Sequence, residues 1–137
     1  MSTPIKIEKD GVLYAMFFSS SLSAPDGVNF LNNPEDSLQI GLMERPTGYK
    51  VEPHLHPSRS IPIERVSEFL YIEKGKVKAT VTDEEWNVLG EHELSEGDFL
   101  LFLRGGHSVE VIEEARMIEV KQGPFLGDNG AKVYKNS

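Results

Sequence analysis

The chain contains no cysteine. It can therefore form no disulfide framework, thiolate zinc site, iron–sulfur cluster or cysteine nucleophile, and any metal must be held by nitrogen and oxygen donors. Basic residues are also short: 14 Lys and Arg stand against 22 Asp and Glu, a formal net charge of −8 with His neutral. Binding to nucleic acid or to anionic lipid draws on basic patches and counterion release, so neither nucleic acid nor a membrane is expected as a partner. Long apolar runs are absent too. The longest, Val12 to Phe18 (VLYAMFF), falls far short of the roughly 20 residues of a membrane-spanning helix. The N-terminal MSTPIKIEKDGV carries charges where a signal peptide has its apolar stretch. A cytoplasmic location is the expectation.

What is present suits a folded domain. With 137 residues, 39% of them hydrophobic, the chain fits one domain over residues 1–137 that buries roughly two-thirds of its unfolded surface. The periodicity is that of strands. Val77, Ala79 and Val81 alternate with Lys76, Lys78 and Thr80; Val109 and Val111 alternate with Ser108 and Glu110; Leu38, Ile40 and Leu42 form a further set. Val12–Phe18 and Phe99–Leu103 read as strands buried on both faces or at an interface. Turn signals recur at Asp10-Gly11, Pro25-Asp26-Gly27, Asn32-Asn33-Pro34, Gly75, Gly90, Glu96-Gly97 and Gly105-Gly106. The pattern predicts an all-β sandwich or barrel with two long connections, Ser19–Ser37 and Pro57–Ser67.

Four histidines carry the chemistry: His54, His56, His92 and His107. In an extended segment the imidazoles of His54-Leu55-His56 project to one face and can offer two adjacent ligands to one metal ion. His107 shares its strand face with Val109 and Val111, and Glu68 shares one with Leu70 and Ile72. Both polar groups thus continue core-directed faces, and a buried ionisable group has to be paired, metal-bound or neutralised. His92, set between Glu91 and Glu93, reads as a surface residue.

The spacing of these residues resembles the cupin superfamily. Its first motif corresponds to Gly48, His54, His56, Glu68 and Gly75, and its second to GDFLLFLRGGH, from Gly97 to His107. Three departures are visible: eleven residues separate His56 from Glu68 where the family has only a few, Leu103 stands at the usual Pro, and the second motif is one residue short before its His. The resemblance implies a double-stranded β-helix (cupin, or jelly-roll) barrel with its core at about residues 38–122, preceded by N-terminal strands and a loop over 1–37. It also implies that His54, His56, Glu68 and His107 surround one divalent transition metal. Nitrogen-rich ligation of this kind is compatible with Fe, Mn, Ni, Co, Cu or Zn. The tail, Ile118-Glu119-Val120-Lys121-Gln122-Gly123-Pro124-Phe125-Leu126-Gly127-Asp128, is similar to the closing strand of cupin domains in mannose-6-phosphate isomerase-type proteins.

Arg59, Arg65 and Arg104 are candidates to clamp an anionic group of a small-molecule ligand. Phe69 and Tyr71, on the strand face opposite Glu68, suggest packing against another layer or a second subunit, and a homodimer is expected. The balance leans to an enzyme: a metal-dependent isomerase acting on a polar or carbohydrate-derived substrate. The alternatives are an Fe(II) dioxygenase and a non-catalytic binding or sensing module. No catalytic acid or base is legible.

Overall fold

The computed structural model describes residues 3–135. Ile5–Lys9 (β1) and Val12–Phe18 (β2) form an antiparallel hairpin closed by Asp10 and Gly11. Both turn residues have positive φ, 53° and 77°, the mirror-image turn whose twist matches that of the flanking strands. The register slips between Ile7 and Glu8, leaving Tyr14 as an extra residue on β2, a bulge that turns its ring into the core. Val28–Phe30 (β3) and Gly41–Met43 (β4) pair as a separate two-stranded sheet. Glu68–Thr82 (β5), Val88–Ser95 (β6), Phe99–Phe102 (β7) and Gly106–Lys121 (β8) complete the main sheet, and one helical turn, α1 (Asp128–Ala131), follows.

Every pairing is antiparallel, and β5 is the hub. Its first residues, 68–71, bond to β7, and residues 76–82 bond to β6. Its other edge is bonded along nearly its whole length to β8, from Glu68 opposite Lys121 to Thr82 opposite Gly106. β7 in turn pairs with β2, giving the order β1-β2-β7-β5-β6 with β8 beside β5. The β5–β8 ribbon bends where its register slips three times between Ile72 and Val77. At that bend Gly75, with φ 90°, lies against the backbone of Glu114 and Ala115. The result is a curled half-barrel.

Two apolar layers hold it. Inside the curl, Phe17, Leu70, Ile72, Val77, Val81, Leu100 and Phe102 form the main core. On the outer face of β2 and β7, Met16, Phe18 and Leu101 are covered by Leu22, Leu31, Leu38, Ile40 and Leu42 from the chain between β2 and β5. β2 and β7 are thus covered on both faces, as their unbroken apolar sequences predict. Each fully buried side chain of this size contributes roughly 1.5–3 kcal/mol.

Several local expectations shift. The turn signal at Gly75 does not end a strand: β5 runs through it to Thr82, because a glycine at positive φ bends the strand without ending it. Of the alternating Leu38–Leu42 set, only Gly41–Met43 is strand. Phe69 and Tyr71 are half-buried, with Phe69 5.9 Å from Phe99. His92 is half-buried rather than on the surface, its ring 5.2 Å from Phe17. The largest difference concerns residues 44–66, which are exposed and form no strand. Among the described residues, the outer edge of β8 has no strand partner. No helix among them is long and apolar enough to cross a membrane.

Candidate functional site

The bend in the β5–β8 ribbon brings its two ends together. Glu68 opens β5, and His107 lies at the other end of the ribbon, opposite Val81. Yet His107 Nε2 lies 3.4 Å from Glu68 Oε2. Phe102, paired with Glu68 across β7 and β5, holds the imidazole in place. The two rings are stacked at 3.7 Å between centroids with a 4° interplanar angle, which fixes the plane of His107.

The site continues on the same face of β8. Leu70 stands opposite Glu119 and Glu68 opposite Lys121, so alternation puts both charged residues beside Glu68. The hydrogen bond with His107 is the main reason the Glu68 carboxyl sits down at about 2. Burial opposes this drop, while Glu119 and Lys121 reinforce it. Glu119 moves the other way, raised from its ordinary value chiefly by its hydrogen bond to the Glu68 carboxylate and then by burial. Two carboxyls sharing one site cannot both ionise freely, so Glu68 carries the charge and Glu119 keeps the proton longer. Lys121 Nζ lies 3.5 Å from Glu119 Oε2.

The other expected pair lies elsewhere. His54 and His56 sit on the exposed 44–66 segment with ring centroids 5.2 Å apart, edge to face. His54 Nδ1 is 2.7 Å from the Glu52 carbonyl oxygen. A carbonyl only accepts, so Nδ1 donates, and in the neutral tautomer Nε2 is the nitrogen open to a ligand. A metal-ligating histidine is commonly oriented in this way by a backbone carbonyl. The four residues therefore form two couples, Glu68 with His107 and His54 with His56. Among the described residues no group of three or more His, Asp or Glu is gathered closely enough to hold a metal ion.

Of the three arginines, Arg59 is exposed on the 44–66 segment. Arg65 and Arg104 line one cleft of about 370 Å³, together with Ser67 and Leu103. Ser67 directly precedes Glu68, and Leu103-Arg104 lead into the turn before His107. Sequence reasoning missed Glu119 and Lys121. Their alternation with Ile118 and Val120 was visible, but only the β5–β8 register puts that face beside Glu68. Compared with protein-family models, with curated proteins and with solved structures, the chain matches none.

Proposed function

We propose that the chain is a metal-binding, small-molecule cupin, an isomerase-type enzyme for a polar or carbohydrate-derived substrate. The observation that carries this reading is the Glu68–His107 contact. A carboxylate and an imidazole meet across a curled sheet, with the imidazole plane fixed by Phe102. Two further imidazoles lie on a segment long enough to reach them: eleven residues separate His56 from Glu68, and such a length can span up to about 36–40 Å when extended. The same segment alternates Val51, Pro53 and Leu55 with Glu52, His54 and His56. Laid along the open edge of β8 as a strand, it would present both histidines on one face and complete a double-stranded β-helix.

Three imidazoles and one carboxylate suit a divalent transition ion, which would supply Lewis-acid polarisation of a ligand carbonyl or hydroxyl. The chain's own contribution is to hold Glu68 ionised and to keep the less acidic Glu119 beside it as a proton carrier. Elemental analysis of protein purified without chelator should find one metal per chain. His54→Ala, His56→Ala and His107→Ala should each lower the occupancy, and His92→Ala should leave it intact. Equal occupancy in all four variants would overturn the site. Isomerisation would be assayed with aldose and ketose phosphates, and Glu68→Gln should cut turnover more than about tenfold, or 1.4 kcal/mol of barrier.

A further inference from the structure

We propose that the cleft between the 33–37 turn, residues 62–67 and the β7–β8 turn binds a small zwitterion, a molecule with one carboxylate and one ammonium group, as in an α-amino acid. The cleft encloses about 370 Å³, at the lower end of the range for small-molecule sites. Its apolar wall is made by Val12, Leu13, Pro62 and Leu103. The charged residues are of both signs: Arg65 and Arg104 on one side of the ledger, Glu35, Asp36 and Glu64 on the other.

That mixture selects the ligand. Two guanidiniums against three carboxylates leave the cleft at −1, in a chain whose formal charge is −8. A phosphate dianion would meet three carboxylates for its two guanidiniums. A simple cation would meet the guanidiniums. A molecule with one group of each sign can satisfy both sets, and its apolar body can lie on the Leu13–Leu103 wall.

The charged groups are also incompletely engaged by one another. The nearest approach of Arg65 to an acid is 3.9 Å, to its chain neighbour Glu64, beyond hydrogen-bond length. The Arg104 guanidinium lies 5.8 Å from the centre of the Tyr14 ring, a contact that positions the fork without occupying its donors. Its backbone is fixed as well, since the N–H groups of Leu103 and Arg104 donate to the Tyr14 carbonyl at 2.9 and 3.3 Å. Asp36 accepts from Asn32 Nδ2 at 2.9 Å, which anchors the acidic turn, and Glu35 forms no ion pair among the described residues. A planar guanidinium is suited to bidentate capture of a carboxylate, and the acids then face the ammonium. The proposal does not depend on the metal reading.

Calorimetric titration with the common L-amino acids tests it, with succinate as dianionic control and 1,3-diaminopropane as dicationic control. At least one amino acid should bind saturably, and both controls should fail. Arg104→Gln and Glu35→Gln should each weaken that binding about tenfold or more. Glu35 is exposed, so its variant should fold even if the Arg104 variant does not. His54→Ala should bind the amino acid as the parent does, which separates this site from the metal site. No binding of any amino acid at about 10 mM, succinate binding as tightly, or unchanged affinity in Glu35→Gln would each overturn the proposal.

Discussion

Asp83 is buried, at 2% exposure, and its carboxylate is ringed by donors. Lys9 Nζ donates at 2.6 Å, the backbone N–H groups of Glu85 and Asn87 at 2.9 Å each, and Asn87 Nδ2 at 3.0 Å. These bonds, led by that of Lys9, hold its carboxyl far below the ordinary value of 3.8. A depressed folded-state pKa gives stability that is fully present above the unfolded value and is lost as pH falls towards the folded one. Urea unfolding at pH 7 and at pH 3 should therefore show a clear acid loss, and Asp83→Asn should be less stable at pH 7 with a smaller difference at pH 3. Nearby, Tyr14 donates to Glu84 Oε1 at 2.6 Å, so the β1–β2 hairpin and the β5–β6 turn are fastened to each other twice, through Lys9 and through Tyr14. In the main core, Leu100 is fully buried, and Leu100→Ala should cost about 2–5 kcal/mol in urea titrations.

At the scale of single elements, the β5–β8 ribbon decides most of the architecture. Gly75 sits at φ 90°, and an added Cβ would run into the backbone of Glu114 and Ala115. Gly75→Ala should therefore cost at least ~1 kcal/mol for the backbone conformation alone, with the clash added, and the melting temperature should fall accordingly. β8 allows a different measurement. In an antiparallel strand alternate N–H groups point to opposite edges, and among the described residues only one edge of β8 is bonded, to β5. Hydrogen exchange should alternate residue by residue along residues 106–111 and 117–121, on either side of the register slips, and a strand laid on the open edge would abolish the alternation. Part of this element was legible beforehand: the Val77–Val81 alternation and the face shared by Glu68, Leu70 and Ile72 hold, whereas on β8 Val109 is half-buried but Val111 is 52% exposed, because that face looks into the open side of the curl. What the sequence could not show was the meeting of Glu68 with His107. That depends on how sharply the ribbon bends over the residues around Gly75, and period-two patterning carries no information about bending. The alternation of Val51, Pro53 and Leu55 likewise marks a segment able to form a strand, but a strand forms only where it lies along an edge, and residues 44–66 stand off the sheet, exposed and unpaired with any strand.

For the molecule as a whole, the expected effect of metal follows from mass action. An ion that binds only the folded chain adds RT ln(1 + [L]/Kd), about 2.7 kcal/mol at a hundredfold excess over Kd. Thermal melting with added Fe(II), Mn(II), Ni(II) or Zn(II) should rise in the parent protein and not in His54→Ala or His107→Ala. Chelation should reverse the rise, and a flat response to all four ions would argue against a metal centre. The exchange pattern of β8 then distinguishes two routes to such a site: loss of its alternation on metal addition would mean that the 44–66 segment closes onto the sheet as the ion binds.

β7 has only four residues, yet β2 and β5 bond to its two edges and apolar layers cover its two faces. It is made late in the chain, at Phe99–Phe102, while β2 ends at Phe18. The first hairpin therefore waits through some eighty residues of synthesis for the strand that covers it. Closing a loop of that length carries an entropic cost that grows only logarithmically, but no native contact rewards it until both ends have met, and topologies dominated by such distant pairings fold slowly. During that wait, on the ribosome or after dilution from denaturant, the VLYAMFF strand is exposed. Aggregation should therefore be most pronounced while the chain is still shorter than about a hundred residues.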